Sequence, residues 1–164
     1  MKRFAVALIV LTLGVAAQVY AAEPNLTYKQ APTTDDEKAV AQVFETLAAK
    51  ATRDARGGSE LYTQDAVIRW FSGTQNEPRV TEGRDKIYVL FSTALAQKFE
   101  LRDLAIKAEG DKAEATGRTT VTFFIGSLNQ NFVRQEERTW KLRREAEGWR
   151  IYEQEARNSV LTRQ

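Results

Sequence analysis

The chain has 164 residues, of which 28% are charged, with 24 basic and 22 acidic side chains and a formal net charge of +2 at pH 7. It contains no cysteine and no histidine, which excludes disulfides, thiol nucleophiles, imidazole bases and metal sites built from thiolate or imidazole ligands. Any catalysis would therefore depend on carboxylate, Tyr, Lys or Ser side chains, and we expect no metal and no cofactor.

The first 21 residues follow the pattern of a secretory signal peptide. Lys2 and Arg3 give a positive start, residues 4–15 form an apolar run, and Val19 and Ala21 are small residues at the positions that signal peptidase requires. An uncleaved membrane anchor is the alternative, because the apolar stretch is almost long enough to span a bilayer. We expect cleavage after Ala21 and a periplasmic or secreted mature protein.

Cleavage would leave 143 residues, a usual size for a single domain. It would also remove two of the 24 basic side chains, so that basic and acidic groups balance in the mature chain. A chain without net charge has no electrostatic basis for binding nucleic acid or an anionic membrane surface, and we predict neither as a partner.

The first part of the mature chain is predicted to be an extended linker followed by a long helix. Residues 22–33 contain two of the three prolines and form the linker. Thr34 and Glu37 then have the spacing of a capping box. Behind it, apolar residues recur at the three-and-four spacing of one helix face, namely Val40, Val43, Phe44, Leu47, Ala48 and Ala51. This pattern predicts an amphipathic helix that ends near Gly57 and Gly58 and lies on a sheet.

The region after this helix is predicted to be less regular. Ser59 would cap a short helical turn that continues through Tyr62, and Asp65 would lie in the loop before a strand over residues 66–71. A polar loop over residues 72–79 would then lead to a second helix from Arg84 to about Leu95.

After the second helix the apolar period changes from helical to alternating. The alternation predicts four long strands separated by short turns, over residues 99–108, 113–125, 132–144 and 149–156. Strands joined by such turns run antiparallel, as a meander. Two helices followed by a long antiparallel sheet define an α+β domain over residues 34–157, with a C-terminal tail over residues 158–164.

The third of these strands has charged residues in the middle of an otherwise apolar face. A carboxylate between two guanidiniums would stay ionised there, while the arginines could still bind an anion. The commonest interpretation of such a row is an exposed ladder of salt bridges on a sheet. The alternative is an amphipathic ligand pocket. The alternate residues of this face are Phe132, Arg134, Glu136, Arg138, Trp140 and Leu142.

Three carboxylates are candidate general bases: Asp65, Asp103 and Glu136. Each would need to be buried in a cavity to act as a base. Directly before a strand, Asp65 is more typical of a turn-forming cap. Aromatic residues complete the predicted binding set, which consists of Tyr62, Trp70, Phe91, Phe123, Arg134, Glu136, Arg138 and Trp140.

Several short motifs occur in an order that resembles the nuclear transport factor 2-like superfamily, particularly its bacterial SnoaL-like and ketosteroid-isomerase-like branches. The resemblance covers about residues 34–156. It implies a cone-shaped, strongly bent antiparallel sheet wrapped on the long first helix around a cavity, and frequent pairing as a homodimer through the sheet. Besides the capped first helix, the motifs are Leu61 to Val67, Glu82-Gly83-Arg84, Gly110 to Ala113, Arg138-Thr139-Trp140 and Gly148 to Ile151.

This resemblance does not imply a single activity, because the same cone hosts isomerases, cyclases, dehydratases, binding modules and interaction domains. The isomerase branch uses a Tyr of the first helix with two Asp inside the cone, whereas this helix has no Tyr and presents Phe44 and Leu47. Other enzymatic branches use a His and Asp pair, and this chain has no His. The resemblance therefore transfers no catalytic residue.

Three hypotheses about function follow from these patterns. We expect a non-catalytic exported module that binds a small amphipathic molecule or a protein partner. The alternative is an enzyme of the isomerase, cyclase or hydrolase type, with a cavity carboxylate as general base. The third is a pure interaction protein, whose cavity is filled by its own Phe91, Phe123 and Trp140 side chains.

Overall fold

A computed structural model of the chain describes residues 25–71, 77–93 and 96–163. The predicted signal peptide, most of the loop predicted after residue 71 and the predicted end of the second helix at Leu95 lie outside these residues. None of the helices in the described part is long and apolar enough to cross a membrane. The elements are β1 (Leu26–Tyr28), α1 (Asp35–Lys50), α2 (Ala55–Ser59), β2 (Tyr62–Trp70), β3 (Arg79–Glu82), α3 (Arg84–Thr93), β4 (Ala96–Glu109), β5 (Lys112–Ile125), β6 (Gln130–Glu145) and β7 (Gly148–Arg163).

Helix α1 begins at the predicted capping box. The Thr34 hydroxyl accepts a hydrogen bond from the Glu37 backbone N–H at 3.1 Å, and the Glu37 carboxylate accepts one from the Thr34 N–H at 3.1 Å. The first turn contains Asp35 and Asp36 as well as Glu37, and their negative charges stabilise the helix by interacting with the positive end of its dipole. The start of α1 is therefore determined locally by its own sequence.

The region after α1 differs from its predicted structure. α1 ends at Lys50, before the predicted end near Gly57, because Asp54 caps the separate helix α2 by accepting a hydrogen bond from a backbone N–H at 2.8 Å. Ser59 is the last residue of α2 and not a cap, and β2 begins directly at Tyr62. Asp65 lies within β2 and not in a loop, because the parallel pairing of β2 with β7 begins before it, at Tyr62, and resumes at Val67 after an irregularity in register that includes Asp65.

The predicted α+β class with a bent sheet is confirmed. Strands β4 to β7 form the predicted antiparallel meander. The seven strands of the described residues form one strongly curved, unclosed sheet in the order β1-β4-β5-β6-β7-β2-β3. Two pairings in it are parallel, β1 with β4 and β2 with β7, and β3 pairs antiparallel with β2 at the other edge.

Both ends of the described chain form β-strand, where the sequence predicted an extended linker and a tail. In the predicted linker, β1 pairs with β4, and the Leu101 N–H donates to the Asn25 carbonyl at 2.8 Å. In the predicted tail, β7 continues to Arg163, which lies opposite Phe132 of β6. These pairings supply hydrogen-bond partners to backbone groups of β4 and β6 that would otherwise lie unpaired.

The helices cover one face of the sheet, which we call the inner face. Phe44 of α1 packs edge to face on Trp140 of β6, with ring centroids 5.1 Å apart, and neither side chain is exposed. Leu101, Leu142 and other apolar residues of the sheet complete this core. The apolar stripe predicted on α1 therefore packs on the sheet, as expected.

Four register shifts interrupt the long strands of the meander, and two of them are bulges at a residue with a left-handed backbone. In β4 the register shifts between Arg102 and Ala105, and Asp103 between them has a left-handed backbone with φ of 54°. In β7 the register shifts opposite Glu136, and Asn158 has φ of 52°. Bulges of this kind bend a strand and redirect its side chains, and both strands contribute to the strongly curved sheet.

Candidate functional site

A cavity of about 590 Å³ lies between the inner face of the sheet and the helices. Its wall is largely aliphatic and aromatic, and β6 and β7 contribute polar side chains to it. A concave, mostly apolar space with a few polar groups is typical of a site for a small molecule. The wall consists of Leu47, Ala51, Tyr62, Trp70, Phe71, Arg79, Val80, Thr81, Leu90, Phe91, Ala96, Phe99, Val121, Arg134, Arg138, Gln154 and Ser159.

Arg134, Glu136 and Arg138 lie together on the inner face of β6, as their alternate spacing predicts. Arg138 Nε and Nη2 donate to Glu136 Oε2 at 3.0 and 2.8 Å. Arg134 Nε lies 3.1 Å from Glu136 Oε1, although its N–H direction does not make a hydrogen bond. Ser159 Oγ donates to the same Oε1 at 3.2 Å. We call these four residues the Glu136 cluster.

The predicted salt bridges of this row are present, but the predicted exposure is wrong, because the row is largely enclosed. The exposed fraction of the side chain is 1% for Glu136, 9% for Arg138 and 33% for Arg134. The reason is that this row of β6 continues into Trp140, which is fully buried under the helices. Both arginines and Ser159 belong to the cavity wall, whereas Glu136 does not and lies behind them.

The charges of the cluster determine the ionisation of its carboxyl group. Burial by itself raises the pKa of Glu136, but the Arg138 and Arg134 guanidiniums, together with hydrogen bonds from Arg138 and Ser159, outweigh it and hold that pKa below its usual range. Burial lowers the pKa of Arg134, which Glu136 partly offsets. Two cations and one anion leave the cluster with an excess of one positive charge at neutral pH.

Ser159 was missed in the sequence because it falls in the predicted tail. Its position depends on the bulge in β7, where Arg157 lies opposite Glu137 and Val160 lies opposite Gln135. The two residues between them, Asn158 and Ser159, lie opposite the single Glu136 and send their side chains to opposite sides, since Asn158 Nδ2 donates to Glu137 at 2.6 Å on the outer face. An Asn that tolerates a left-handed backbone is the only local signal for this bulge.

A second buried polar group lies beside the cluster in the cavity wall. The Tyr62 hydroxyl and the Trp140 indole N–H both donate to Gln154 Oε1, at 2.6 and 3.0 Å. Burial raises the pKa of Tyr62, so its phenol stays protonated and its proton is committed to Gln154. Gln154 has 1% of its surface exposed and was also missed, because one amide on a strand gives no pattern in the sequence.

Of the other predicted aromatic residues, two line the cavity and two lie outside its wall. Trp70 and Phe91 belong to the wall, and Phe91 packs edge to face on Tyr62 with ring centroids 5.8 Å apart. The indole N–H of Trp70 is buried without a hydrogen-bond partner. Phe123 stacks on Phe132 outside the wall and does not fill the cavity, and Trp140 lies beneath it in the core.

None of the three candidate carboxylates belongs to the described cavity wall, and two of them are exposed. Asp65 has 67% of its side chain exposed and pairs with Arg143 at 2.8 Å. Asp103 has 45% exposed and accepts a hydrogen bond from Arg118 Nε at 3.0 Å. Among the described residues of the wall there is no Asp or Glu, so the arrangement provides hydrogen-bond donors and positive charge with no wall carboxylate to act as a base.

A family model matches the sequence of this chain, and several solved structures match its fold. The model, described as a SnoaL-like domain, matches residues 32–154. The chain belongs to the SnoaL-like domain family. No curated protein matches this SnoaL-like chain in sequence.

The solved structures similar to this SnoaL-like domain include proteins of different kinds. A nuclear transport factor 2-like protein with a cystatin-like fold from Novosphingobium aromaticivorans is 22% identical, with a TM-score of 0.60 over 74% of this chain and 80% of that chain. A ketosteroid isomerase-like protein from Erwinia carotovora atroseptica is 14% identical, with a TM-score of 0.60 over 76% and 96%. A hexachlorocyclohexane dehydrochlorinase from Novosphingobium barchaimii is 15% identical, with a TM-score of 0.59 over 77% and 88%. These likenesses establish the fold alone.

Proposed function

We propose that this SnoaL-like domain is an exported, non-catalytic module that binds a small amphipathic molecule in its cavity. The observation that carries the proposal is the composition of the wall, in which apolar side chains surround Arg134 and Arg138 and no described residue is a carboxylate. Such a wall can hold a ligand by apolar contact and orient it by hydrogen bonds. The signal-peptide pattern of residues 1–21 supports the export part of the proposal.

The enzymatic alternative would depend on Glu136, the one buried carboxylate among the three candidates. A general base needs a free lone pair within reach of the substrate and a pKa near the working pH. Glu136 has both oxygens engaged by Arg138 and Ser159, a lowered pKa and a position behind the wall. These features favour a structural role for Glu136 over a role as base, so binding without turnover is the better-supported function.

The cavity volume provides a direct test. Ala51 lies in the wall, whereas Ala49 lies on the exposed side of α1. We expect the neutral fluorescent probe N-phenyl-1-naphthylamine to bind the wild-type protein, and Ala51→Trp to weaken its affinity at least about tenfold by filling the apolar space. Ala49→Trp, the same substitution outside the cavity, should leave the affinity unchanged.

Two results would contradict the proposal. One is a wild-type protein that does not bind the probe, or binds it equally well after Ala51→Trp, since the cavity would then not be the binding site. The other is turnover of enolisable ketones or lactones by purified protein, with loss of that activity in Glu136→Gln protein that remains folded. The second result would favour the enzymatic alternative.

A homodimer through the outer face of the sheet is the second part of the proposal. It is supported by three apolar residues on that face, Phe124 of β5, Val133 of β6 and Val160 of β7. Val133 pairs with residues two positions from Phe124 and from Val160, so the three are diagonal neighbours across the strands. Phe124 and Val160 are 47% and 57% exposed, and with Val133 they form an apolar patch of adjacent residues, the kind of surface that marks a protein contact.

A further inference from the structure

We propose that the molecule held in this cavity carries a carboxylate group, which binds to Arg138 and Arg134, and a two-ring apolar body. The inference rests on the binding function proposed above and specifies the chemical class of the ligand. Three properties of the described wall support it: its unused hydrogen-bond donors, its excess positive charge and its size.

The polar atoms around the cavity are unevenly used. The carboxylate and side-chain amide oxygens are engaged, because Glu136 Oε2 accepts twice from Arg138, Glu136 Oε1 accepts from Ser159, and Gln154 Oε1 accepts from Tyr62 and Trp140. The cations are less fully used, because the Arg134 side chain is 33% exposed in the wall and its Nε makes no hydrogen bond to Glu136. Arg138 has also used only two of its five N–H donors on Glu136. A ligand that satisfies this wall must therefore supply acceptors.

The charge of the wall restricts the acceptor to an anion. Arg134 and Arg138 belong to the wall, as does the exposed Arg79, and Glu136 behind the first two is the anion that offsets part of this charge. An uncompensated charge next to a buried apolar space is unfavourable, and a bound anion removes that penalty. The one excess positive charge of the Glu136 cluster matches a carboxylate, whose two oxygens also fit the planar guanidinium group.

The apolar part of the wall indicates the body of the ligand. Trp70, Phe91 and Phe99 contribute aromatic surface, and Leu47 and Leu90 contribute aliphatic surface. About 590 Å³ is within the usual range for sites that enclose a small molecule. A two-ring body fits this space better than a single small acid, and its flat faces can pack on the aromatic side chains.

A matched pair of probes tests the carboxylate. 2-Naphthylacetate and 2-(2-naphthyl)ethanol share the same two rings and differ in the charge of the head group. By isothermal titration calorimetry at pH 7, we expect the acid to bind about tenfold to a hundredfold more tightly than the alcohol. Equal affinities for the two probes would overturn the inference.

Substitutions of the two arginines test whether their guanidinium groups bind the carboxylate of the acid probe. Arg134→Met removes the more exposed guanidinium and leaves the two Arg138–Glu136 hydrogen bonds in place, so it should fold; Arg138→Met removes the more buried one. We expect each variant to weaken the acid about tenfold or more and to leave the alcohol within about twofold. Arg118→Met, on an exposed side chain outside the wall, is the matched control and should change neither affinity.

The possible results separate this inference from the function on which it rests. If N-phenyl-1-naphthylamine binds but the acid has no advantage over the alcohol, the carboxylate is wrong and the binding function stands. If Arg134→Met weakens both naphthyl probes equally, the guanidinium acts by shape and not by charge, which also overturns the inference. If no probe binds the wild-type protein, both proposals fail. Should Arg138→Met not fold, the probe pair on wild-type and Arg134→Met protein still decides.

Discussion

Glu136 is an ionised carboxylate in a place where an isolated charge would be strongly unfavourable. Its side chain is 1% exposed, and two guanidiniums and a hydroxyl surround it. Buried ion pairs of this kind often add little net stability compared with apolar residues, but they leave a large penalty when one partner is removed. Glu136 therefore acts mainly on the arginines, by holding two cations in a fixed orientation at the cavity.

The substitution Glu136→Gln tests this role. It leaves Arg134 and Arg138 close together without an anion, and we expect it to lower the free energy of unfolding by about 3 kcal/mol or more. Glu137→Gln is the matched control, because Glu137 is the next residue of β6 and its side chain lies on the exposed outer face. Urea unfolding at pH 7 measures both variants, and equal stabilities for the two would contradict the structural role of Glu136.

The same pair of variants has a predictable pH dependence. The pKa of Glu136 is lower in the folded protein than its ordinary value, so its ionised form stabilises the fold above the unfolded pKa, about 4.3 for Glu. That contribution is lost as the pH falls below about 4 through the lower folded pKa. Between pH 7 and pH 3, the free energy of unfolding should therefore fall less in Glu136→Gln than in the wild type and in Glu137→Gln.

For single residues, the sequence predicted which side chains lie next to each other better than it predicted whether those side chains are buried. Alternation along β6 was sufficient to place Arg134, Glu136 and Arg138 on one face, because side chains on a strand alternate with a period of two. It could not decide which face is covered, since that depends on where the helices pack. Ser159 and Gln154 could not be found at all, because their roles depend on a bulge and on partners that are distant in the sequence.

At the scale of elements, a glycine makes room for the bulge in β4. A Cβ atom on Gly117 of β5 would lie 3.0 Å from Leu101 Cδ1 and 3.2 Å from the Arg102 carbonyl oxygen, next to the bulge at Asp103. Atoms at those distances are closer than ordinary van der Waals contact, and a carbonyl oxygen in a strand cannot easily move. The absence of a side chain at Gly117 therefore allows β4 and β5 to approach where the sheet bends.

Gly117→Ala should reverse the usual effect of replacing glycine in a strand. Such a change ordinarily stabilises by roughly 0.5–1 kcal/mol, because glycine loses more freedom on folding. Here overpacking should destabilise the fold by about 1–3 kcal/mol, which thermal unfolding can detect. Gly126→Ala is the control, since its Cβ would approach no heavy atom closer than 4.0 Å. An increase in melting temperature for Gly117→Ala would contradict the close approach.

The elements that could be predicted are those with long internal patterns. β4 to β7 have 14 to 16 residues each, enough for alternation to identify them. β1 and β3 have three and four residues, and β3 is polar, so tertiary pairing determines both. The short helix α2 was merged with α1 because its cap, Asp54, lies within a helix-compatible stretch.

At the scale of the whole molecule, the curved sheet has two faces with different tasks. The inner face, under the helices, forms the core and the cavity, and its charged residues are enclosed. The outer face has no helix of the described chain packed on it and carries mainly polar residues, apart from the apolar patch of Phe124, Val133 and Val160. The two faces can therefore be tested independently, because a substitution on the outer face leaves the cavity wall unchanged.

A homodimer through the outer face predicts a specific response to one charge. In a two-fold symmetric dimer each substitution occurs twice, and Val160→Lys would replace two buried apolar contacts by two ammonium groups. Since burial of a Val side chain contributes roughly 1.5 kcal/mol or more, we expect the dimer dissociation constant to rise at least about a hundredfold. Sedimentation equilibrium of residues 22–164 measures this constant. Val89→Lys is the matched control, because Val89 is 56% exposed on α3, away from the sheet. The dimer would be contradicted by a wild-type protein that stays monomeric at about 100 µM, or by unchanged association of the Val160→Lys variant. Binding of N-phenyl-1-naphthylamine should be the same in the wild type and in both variants, because the cavity wall is unchanged.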